Sequence, residues 1–206
     1  MPVITVSRMY GSSGSEIAER VAKALGWQFL DNDLIDAVAE RAGLTKEEVA
    51  AREERVPSIV ERLAEALALG SQEVLPPPSM ASTDEHLVDM TRLVIEEAMQ
   101  SGPTVFVGRG AQSLLANRDD ALHVFCYAPK IALRRWVMQK FEISAEEADR
   151  RVADTNKHRE MYVKRHWQRN WLAPDNYHLW LNTSWLGLDE AAQIVVETAH
   201  RHFEVD

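Results

Sequence analysis

The segment with the clearest chemical potential is the run SRMYGSSGSE, residues 7–16, which follows a short apolar stretch near the start of the chain. A turn of small residues that leads into a helix exposes several backbone N–H groups, and such groups bind anions, phosphate above all. A tight glycine turn with serines capping the helix would explain the same run without a ligand. The residues that we expect to hold phosphate are Arg8, Gly11, Ser12, Ser13, Gly14, Ser15 and Glu16.

This run lacks the full phosphate-loop pattern G-x-x-x-x-G-K-[ST]. Gly11 and Gly14 are too close together to be its two glycines, and no lysine stands before the helix, so Arg8 is the cation of the segment. In the full pattern the lysine neutralises phosphate oxygens and the hydroxyl holds magnesium. The sequence therefore supplies the backbone cradle without its usual charge.

A second glycine turn, Gly108-Arg109-Gly110, follows another apolar segment. An arginine between two glycines has room for its planar fork to meet a phosphate or a base. An internal ion pair of Arg109 with Asp31 or Asp33 is the structural alternative. The two aspartates themselves could contact a substrate or a magnesium-bound water, and Asp31 could equally cap the next helix.

A basic segment, residues 130–169, stands out in an acidic chain. It has eleven Lys or Arg against six Asp or Glu, a local charge of +5. Helical spacing places subsets of its residues on one face, where they could close over a polyphosphate as a mobile lid. A solvated helical face with internal ion pairs explains the same charge. The residues of interest are Asp154, Lys157, Arg159, Tyr162, Lys164, Arg165 and Arg169.

The elements that position these residues alternate along the chain. Apolar, β-branched segments predict strands at 3–7, 27–30, 104–108, 122–127 and 178–182, and helical periodicity predicts helices at 15–25, 31–42, 45–69 with a break at Pro57, and 84–100. A proline-containing loop, 70–83, joins the last two. Alternation of this kind predicts a parallel sheet covered on both faces, with ligands beyond the carboxyl ends of its strands.

Composition sets the outer limits. The chain has 206 residues, 46% of them hydrophobic, and 23 basic against 32 acidic residues give a net charge of −9. These values exclude extensive disorder and argue against a general nucleic-acid binder, while no apolar run is long enough to span a membrane. One cysteine and no signal-peptide pattern point to the cytoplasm. Six tryptophans suggest a homodimer, although core packing explains most of them.

Six collinear segments resemble the cytidylate kinase-like family, a branch of the P-loop nucleoside monophosphate kinases. They cover nearly the whole chain, and together they are specific although each alone is weak. The segments are SRMYGSSGSEIA (7–18), LDNDLI (30–35), VGRGA (107–111), FCYAP (125–129), the D-x-x-K-x-R-x-x-Y run (154–162) and NYHLWLNTS (176–184).

The resemblance implies a fold, an organisation and a reaction. The fold is an α/β sandwich, a five-stranded parallel sheet in the order 2-3-1-4-5, within one domain whose core is 1–44, 84–142 and 176–206. A nucleotide-binding helical insertion at 45–83 and a lid at 143–175 complete it. The reaction is the phosphorylation of CMP or dCMP by ATP with Mg²⁺.

The resemblance also implies roles for individual residues. Arg109 would act near the acceptor with Asp31, Asp33 and Asp154, and the lid cations Arg159, Arg165 and Lys157 would surround the transferred phosphoryl group. Against true cytidylate kinases, Gly14 takes the position of the lysine and Glu16 that of the magnesium-binding hydroxyl. We therefore keep a non-catalytic nucleotide-binding or regulatory protein, with the same fold, as the alternative function.

Overall fold

The computed structural model describes residues 1–31, 84–108 and 110–203. Its strands form one sheet, and each contains β-branched or aromatic residues that suit a buried strand. The helices predicted at 31–42 and 45–69, the loop at 70–83, and the site residues Asp33 and Arg109 lie outside the described residues. The strands are β1 Val3–Arg8, β2 Gln28–Asp31, β3 Thr104–Val107, β4 Ala121–Tyr127 and β5 Leu179–Asn182.

All neighbouring strands pair in parallel, in the order β2-β3-β1-β4-β5. The predicted fold and strand order are therefore confirmed. β1 lies at the centre of the sheet, and Val3 is in register with Thr104 of β3 and Ala121 of β4. This places the carboxyl ends of β1, β2 and β3 side by side at one edge, as the positions of the glycine turns required.

Helices cover the sheet. The first of them ends where the sequence predicts, because Gly26 adopts a left-handed conformation with φ 67° and its N–H bonds back to the last turn. An ion pair between Arg20 and Asp189 joins the first helix to the last. The helices are α1 Gly14–Leu25, α2 Asp84–Ser101, α3 Ala111–Leu114, α4 Lys130–Phe141, α5 Ala145–Trp167 and α6 Thr183–Phe203, which is kinked at Gly187, with a 3-10 turn at Pro174–Asn176.

The main core lies between the sheet and the helices α1 and α6, where Ile4, Val21 and Val195 are fully buried. A second cluster around Phe125 packs Trp171, Tyr177 and Trp180 against β4. Core packing thus explains much of the tryptophan content, as the sequence suggested. Trp185, by contrast, is exposed.

One boundary matters for the site. The first strand ends at Arg8 and not at Ser7, because Arg8 pairs with Cys126 of β4. Arg8 is therefore fixed by the sheet and does not belong to the turn that follows it. The Met9 N–H, which donates to the Cys126 carbonyl at 2.9 Å, continues this attachment by one residue.

Candidate active site

The centre of the site is the buried side chain of Arg8, which extends from the end of β1 across the carboxyl ends of the neighbouring strands. It is 5% exposed, and its Nη2 lies 3.5 Å from Oδ1 of Asp31, the last residue of β2. A buried charge is tolerated only when oppositely charged or polar groups compensate it. Asp31 supplies part of this compensation.

Two glycines make room for Arg8. A Cβ on Gly108 would overlap the Arg8 guanidinium, and a Cβ on Gly14 would lie 2.5 Å from the Arg8 Cβ. Gly108 also has φ 78°, a conformation that side chains other than glycine rarely adopt. The glycines at the two turns therefore serve the arginine's packing as well as the backbone.

The helix α5 closes over the end of β1. Arg159 Nη1 donates to the Arg8 carbonyl oxygen at 2.8 Å, and the Tyr10 N–H donates to Asn156 Oδ1 at 2.8 Å. The Arg159 guanidinium also lies over the Tyr10 ring, 5.9 Å from its centroid. These contacts bring a second guanidinium to the edge of the sheet, 151 residues away from Arg8 in sequence.

A cavity of about 240 Å³ lies between these elements. Arg8 and Arg159 give it a cationic side, while Trp171 and Tyr177 give it an aromatic one. Cavities that bind small molecules commonly combine an apolar wall with a few polar groups. The lining residues are Ser7, Arg8, Gly108, Gly110, Gln112, Ser113, His158, Arg159, Tyr162, Val163, Trp171 and Tyr177.

Tyr177 acts in this cavity as a hydrogen-bond donor. Its hydroxyl donates to the Trp171 carbonyl oxygen at 2.9 Å, and burial raises the pKa of Tyr177 to about 12. The phenol is therefore neutral near pH 7 and does not serve as a general base. Gln112, buried on α3, donates through Nε2 to the Asn176 carbonyl at 2.8 Å, which fixes the amide beside the cavity.

The loop between β1 and α1 presents backbone and not side chains. The Ser12 hydroxyl turns inward and donates to the Met9 carbonyl at 2.8 Å. Ser13 precedes α1 with φ 55° and makes no side-chain cap. The first N–H groups of any helix lack intrahelical partners, so those of α1 offer an anion site at its N-terminus.

The predicted lid cations separate on α5. Arg159 lines the cavity, whereas Asp154, Lys157 and Arg165 have exposed side chains elsewhere on the helix. Residues two, five or six positions from Arg159 project in other directions, because a helix turns about 100° per residue. Arg169 lies beyond the end of the helix and donates to Asn176 Oδ1 at 3.2 Å.

Part of the basic segment forms internal ion pairs. Lys130 and Arg134 of α4 approach Asp149 of α5, and Arg151 pairs with Glu147 one turn away. The ion pairs of the second interpretation are therefore present, and they join α4 to α5. Of the cations proposed for the lid, Arg159 lines the cavity, together with His158 and Tyr162 of the same helix, and its binding of a polyphosphate stays a prediction.

Sequence reasoning missed four residues that line the cavity, Gln112, Ser113, Trp171 and Tyr177, which we call its far wall. Gln112 and Ser113 follow the second glycine turn by two and three residues, so their place in the first turn of a helix at the carboxyl edge was a usable signal. Trp171 and Tyr177 had no comparable signal, because their approach depends on how the chain returns from α5 to β5.

Burial keeps Cys126 protonated, raising its pKa to about 12, so this thiol is a packing residue beneath Gly14.

The described ranges contain neither a group of residues that could hold a metal ion nor a helix that could cross a membrane. Within residues 1–31, 84–108 and 110–203, no three His, Cys, Asp or Glu residues are grouped so that they could hold a metal ion. In the same part of the chain, no helix is both long enough and apolar enough to cross a membrane.

Comparison with known proteins agrees with the observed fold. A family model described as the cytidylate kinase-like family matches residues 3–185. Among curated proteins, none matches the chain in sequence. A solved structure of an uncharacterized protein from Eubacterium ventriosum superposes with a TM-score of 0.68 at 16% identity, covering 97% of this chain and 98% of the other.

Two kinases of known name share the fold. Shikimate kinase from Bacteroides thetaiotaomicron has a TM-score of 0.52 at 13% identity and 99% coverage of both chains. A gluconokinase from Sinorhizobium meliloti has the same TM-score and identity, with coverage of 100% and 98%. At these identities the likeness shows the P-loop kinase fold.

Proposed function

The chain belongs to the cytidylate kinase-like family, and from this premise we propose that it transfers the γ-phosphoryl group of ATP to CMP, dCMP or a related small acceptor. The observation that carries the proposal is the meeting of two guanidinium groups, those of Arg8 and Arg159, at a cavity at the end of β1. Planar guanidinium groups suit phosphate oxygens, and phosphoryl transfer depends on such cations and on positioning.

We propose separate binding places for the two substrates around Arg8. The N-terminal amides of α1 face the loop and suit the phosphates of the donor. The cavity lies on the other side, between α3, α5 and the aromatic wall, and suits the acceptor. The transfer breaks the bond from the γ-phosphorus to the β,γ-bridging oxygen and forms one to an acceptor phosphate oxygen, which needs no proton removal when that oxygen is ionised.

The residues at the start of α1 also fit the Mg²⁺ that ATP carries. Magnesium is usually bound by one or two protein oxygens together with substrate phosphates and water. Ser15 and Glu16, both half-buried in the first turn of α1, offer a hydroxyl and a carboxylate there. When bound, the ion neutralises charge on the phosphate oxygens.

Acceptor recognition would depend on the far wall. Trp171 and Tyr177 offer ring surfaces, and the fixed amide of Gln112 beside them offers hydrogen bonds to a heterocycle. The family name supports CMP as the first acceptor to test. Water exclusion by α5 would favour transfer over hydrolysis.

The experiment is a coupled assay of ATP with each nucleoside monophosphate in turn. We expect turnover with CMP or dCMP above the other monophosphates, and a loss of roughly 100-fold in kcat/KM for Arg109→Ala, the size typical for removal of one charge-stabilising donor. Arg118→Ala is the matched control, because Arg118 pairs with Asp120 at the opposite edge of the sheet. Absence of turnover with every acceptor would reject the proposal.

A second function has its own supporting observation. The lysine position of the phosphate loop is Gly14, packed against Arg8 and Cys126, which favours a nucleotide-binding or regulatory protein without turnover. Calorimetry separates the two proposals, because tight nucleotide binding with no transfer to any acceptor supports the second alone. For either function we propose a cytoplasmic location, where the buried Cys126 stays reduced.

A further inference from the structure

We propose that the phosphate loop of this chain has exchanged two positions, with its cation moved from position 14 to position 8 and its glycine from 8 to 14. Arg8 would then be a catalytic residue that binds phosphate in place of the usual lysine. The inference rests on the proposed function for its substrate class, a polyphosphate, but not on transfer itself.

The first argument is the register of the loop. When the pattern G-x-x-x-x-G-K-[ST] is placed with its lysine on Gly14, its first glycine falls on Arg8 and its second on Ser13. Its hydroxyl residue falls on Ser15, one residue before the position that alignment with cytidylate kinases gives. The chain thus keeps the hydroxyl, and its residues at 8 and 14 are the reverse of the pattern's in kind.

The second argument is the backbone at Ser13. This residue has φ 55°, in the left-handed region that favours glycine. Only a few per cent of non-glycine residues adopt it. The loop therefore retains a glycine-like conformation at the place of the second glycine, although serine stands there.

The third argument is steric. A Cβ at position 14 would lie 2.5 Å from the Arg8 Cβ, 3.1 Å from its Cγ and 3.0 Å from the Cys126 Cβ. Gly14 is buried, and Cys126 belongs to the central sheet, so neither neighbour can withdraw easily. A lysine at 14 and the observed Arg8 side chain are mutually exclusive.

The fourth argument is where the charge goes. Arg8 fills the space over Gly108 and borders the cavity, and its own carbonyl accepts from Arg159. Its Nη2 lies 3.5 Å from Oδ1 of Asp31, so the guanidinium is held at the carboxyl ends of β1 and β2. A phosphate group in the cavity would contact two guanidinium groups, that of Arg8 on β1 and that of Arg159 on α5.

The test uses tripolyphosphate as the probe, with calorimetry on the full chain. We expect Arg8→Gln to weaken its binding by at least about tenfold, the change expected when one charged hydrogen bond is lost. Lys23→Gln is the charge-matched control, since Lys23 is exposed in the last turn of α1, and should change binding by less than about twofold. Equal binding by Arg8→Gln and the wild type would overturn the proposal.

The exchange itself is tested by reversing it. Gly14→Lys alone should lose binding because the lysine collides with Arg8. The triple variant Arg8→Gly, Ser13→Gly, Gly14→Lys restores the full pattern G-M-Y-G-S-G-K-S and should recover at least half of the binding free energy that Gly14→Lys loses. A Gly14→Lys protein that binds as well as wild type would contradict the exchange, as would a folded triple variant as weak as Gly14→Lys.

A measurement on the unaltered side chain covers the case in which Arg8→Gln does not fold. The Arg8 Nε–H resonance, assigned by comparison with Arg8→Lys, should shift when tripolyphosphate is added, and an unchanged resonance at saturation would overturn the proposal. Failure of the proposed function looks different. Arg8-dependent binding without turnover removes only the transferase, turnover and binding insensitive to Arg8→Gln remove only this inference, and absence of both in wild type removes the two together.

Discussion

Two of the buried polar side chains of strand β1, those of Thr5 and Arg8, have partners of different kinds. Thr5 Oγ1 lies 2.7 Å from His123 Nδ1 in the middle of the sheet, and burial lowers the pKa of His123 to about 4, with His178 adding to the effect. Arg8, at the end of the same strand, is buried beside Asp31 and lines the cavity. A histidine can lose its proton when it is buried, whereas an arginine cannot, so the buried guanidinium needs an anionic partner within reach.

The largest expected effect is at the charged site. Arg159→Ala should lower kcat/KM by roughly 100- to 1,000-fold, because it removes a cation from the cavity and the donor to the Arg8 carbonyl. The coupled assay measures it. Arg151→Ala removes another guanidinium from the same helix, one that lies 3.8 Å from a Glu147 oxygen and 4.7 Å from the Phe141 ring centroid, and should stay within about twofold. Equal losses in both variants would mean that the helix contributes charge without a specific contact.

The neutral site can be disturbed with acid. Burial lowers the pKa of His123 to about 4 in the folded protein, against an ordinary value of 6.5, so between these limits the unfolded state binds a proton and the folded state does not. The contribution to stability is therefore complete above pH 6.5 and is lost as the pH falls toward 4, by about 3 kcal/mol.

The measurement is the free energy of unfolding by urea at pH 7, 5.5 and 4.5, compared between wild type and His123→Gln. The variant should show a smaller decline, although His178, whose pKa is also lowered by burial and by His202, leaves some of the slope. Parallel declines in the two proteins would show that His123 is not the group that responds.

A smaller expected effect concerns Gly108 and Gly187, where alanine substitutions distinguish the steric cost of an added Cβ from the cost of backbone strain. Gly108 and Gly187 have nearly the same φ, 78° and 79°, but a Cβ on Gly108 would meet Arg8 while one on Gly187 would meet nothing within 4 Å. Gly187, with φ 79° and ψ 178°, lies in a region that essentially only glycine adopts, so Gly187→Ala should cost about 1–3 kcal/mol of stability from strain alone. Gly108→Ala should cost roughly 2 kcal/mol more, from overpacking, and should also weaken tripolyphosphate binding. Thermal unfolding of the pair decides this, and equal stabilities would contradict the packing role of Gly108.

The fold was accessible from the sequence because its signals are local. The apolar segments around Ile4, Val105 and Val124 predict buried strands, and alternation with helices predicts a parallel sheet whose order the family resemblance supplies. The site was accessible in part. The glycine turns were singled out because parallel strands bring their carboxyl ends together, and Arg159 because helical spacing in the basic segment places cations on one face.

The remainder of the site depends on contacts between distant parts of the chain. Nothing near Arg8 in sequence shows that it passes over Gly108, and nothing near Trp171 shows that it faces the same cavity. From the sequence alone, the glycine at position 14 reads only as the loss of a lysine. The structure shows a packing role for Gly14, because a Cβ there would lie 2.5 Å from the Arg8 Cβ.

The contact between Gly14 and the Arg8 Cβ has an evolutionary consequence. A chain with this loop cannot regain a lysine at position 14 by one substitution, because the intermediate would hold two side chains in one place. Loss of Arg8 first would leave the loop without either cation. With Arg8 binding phosphate as proposed, both single-step routes would pass through a protein with weakened phosphate binding, so a lysine would return to position 14 only together with a change at position 8.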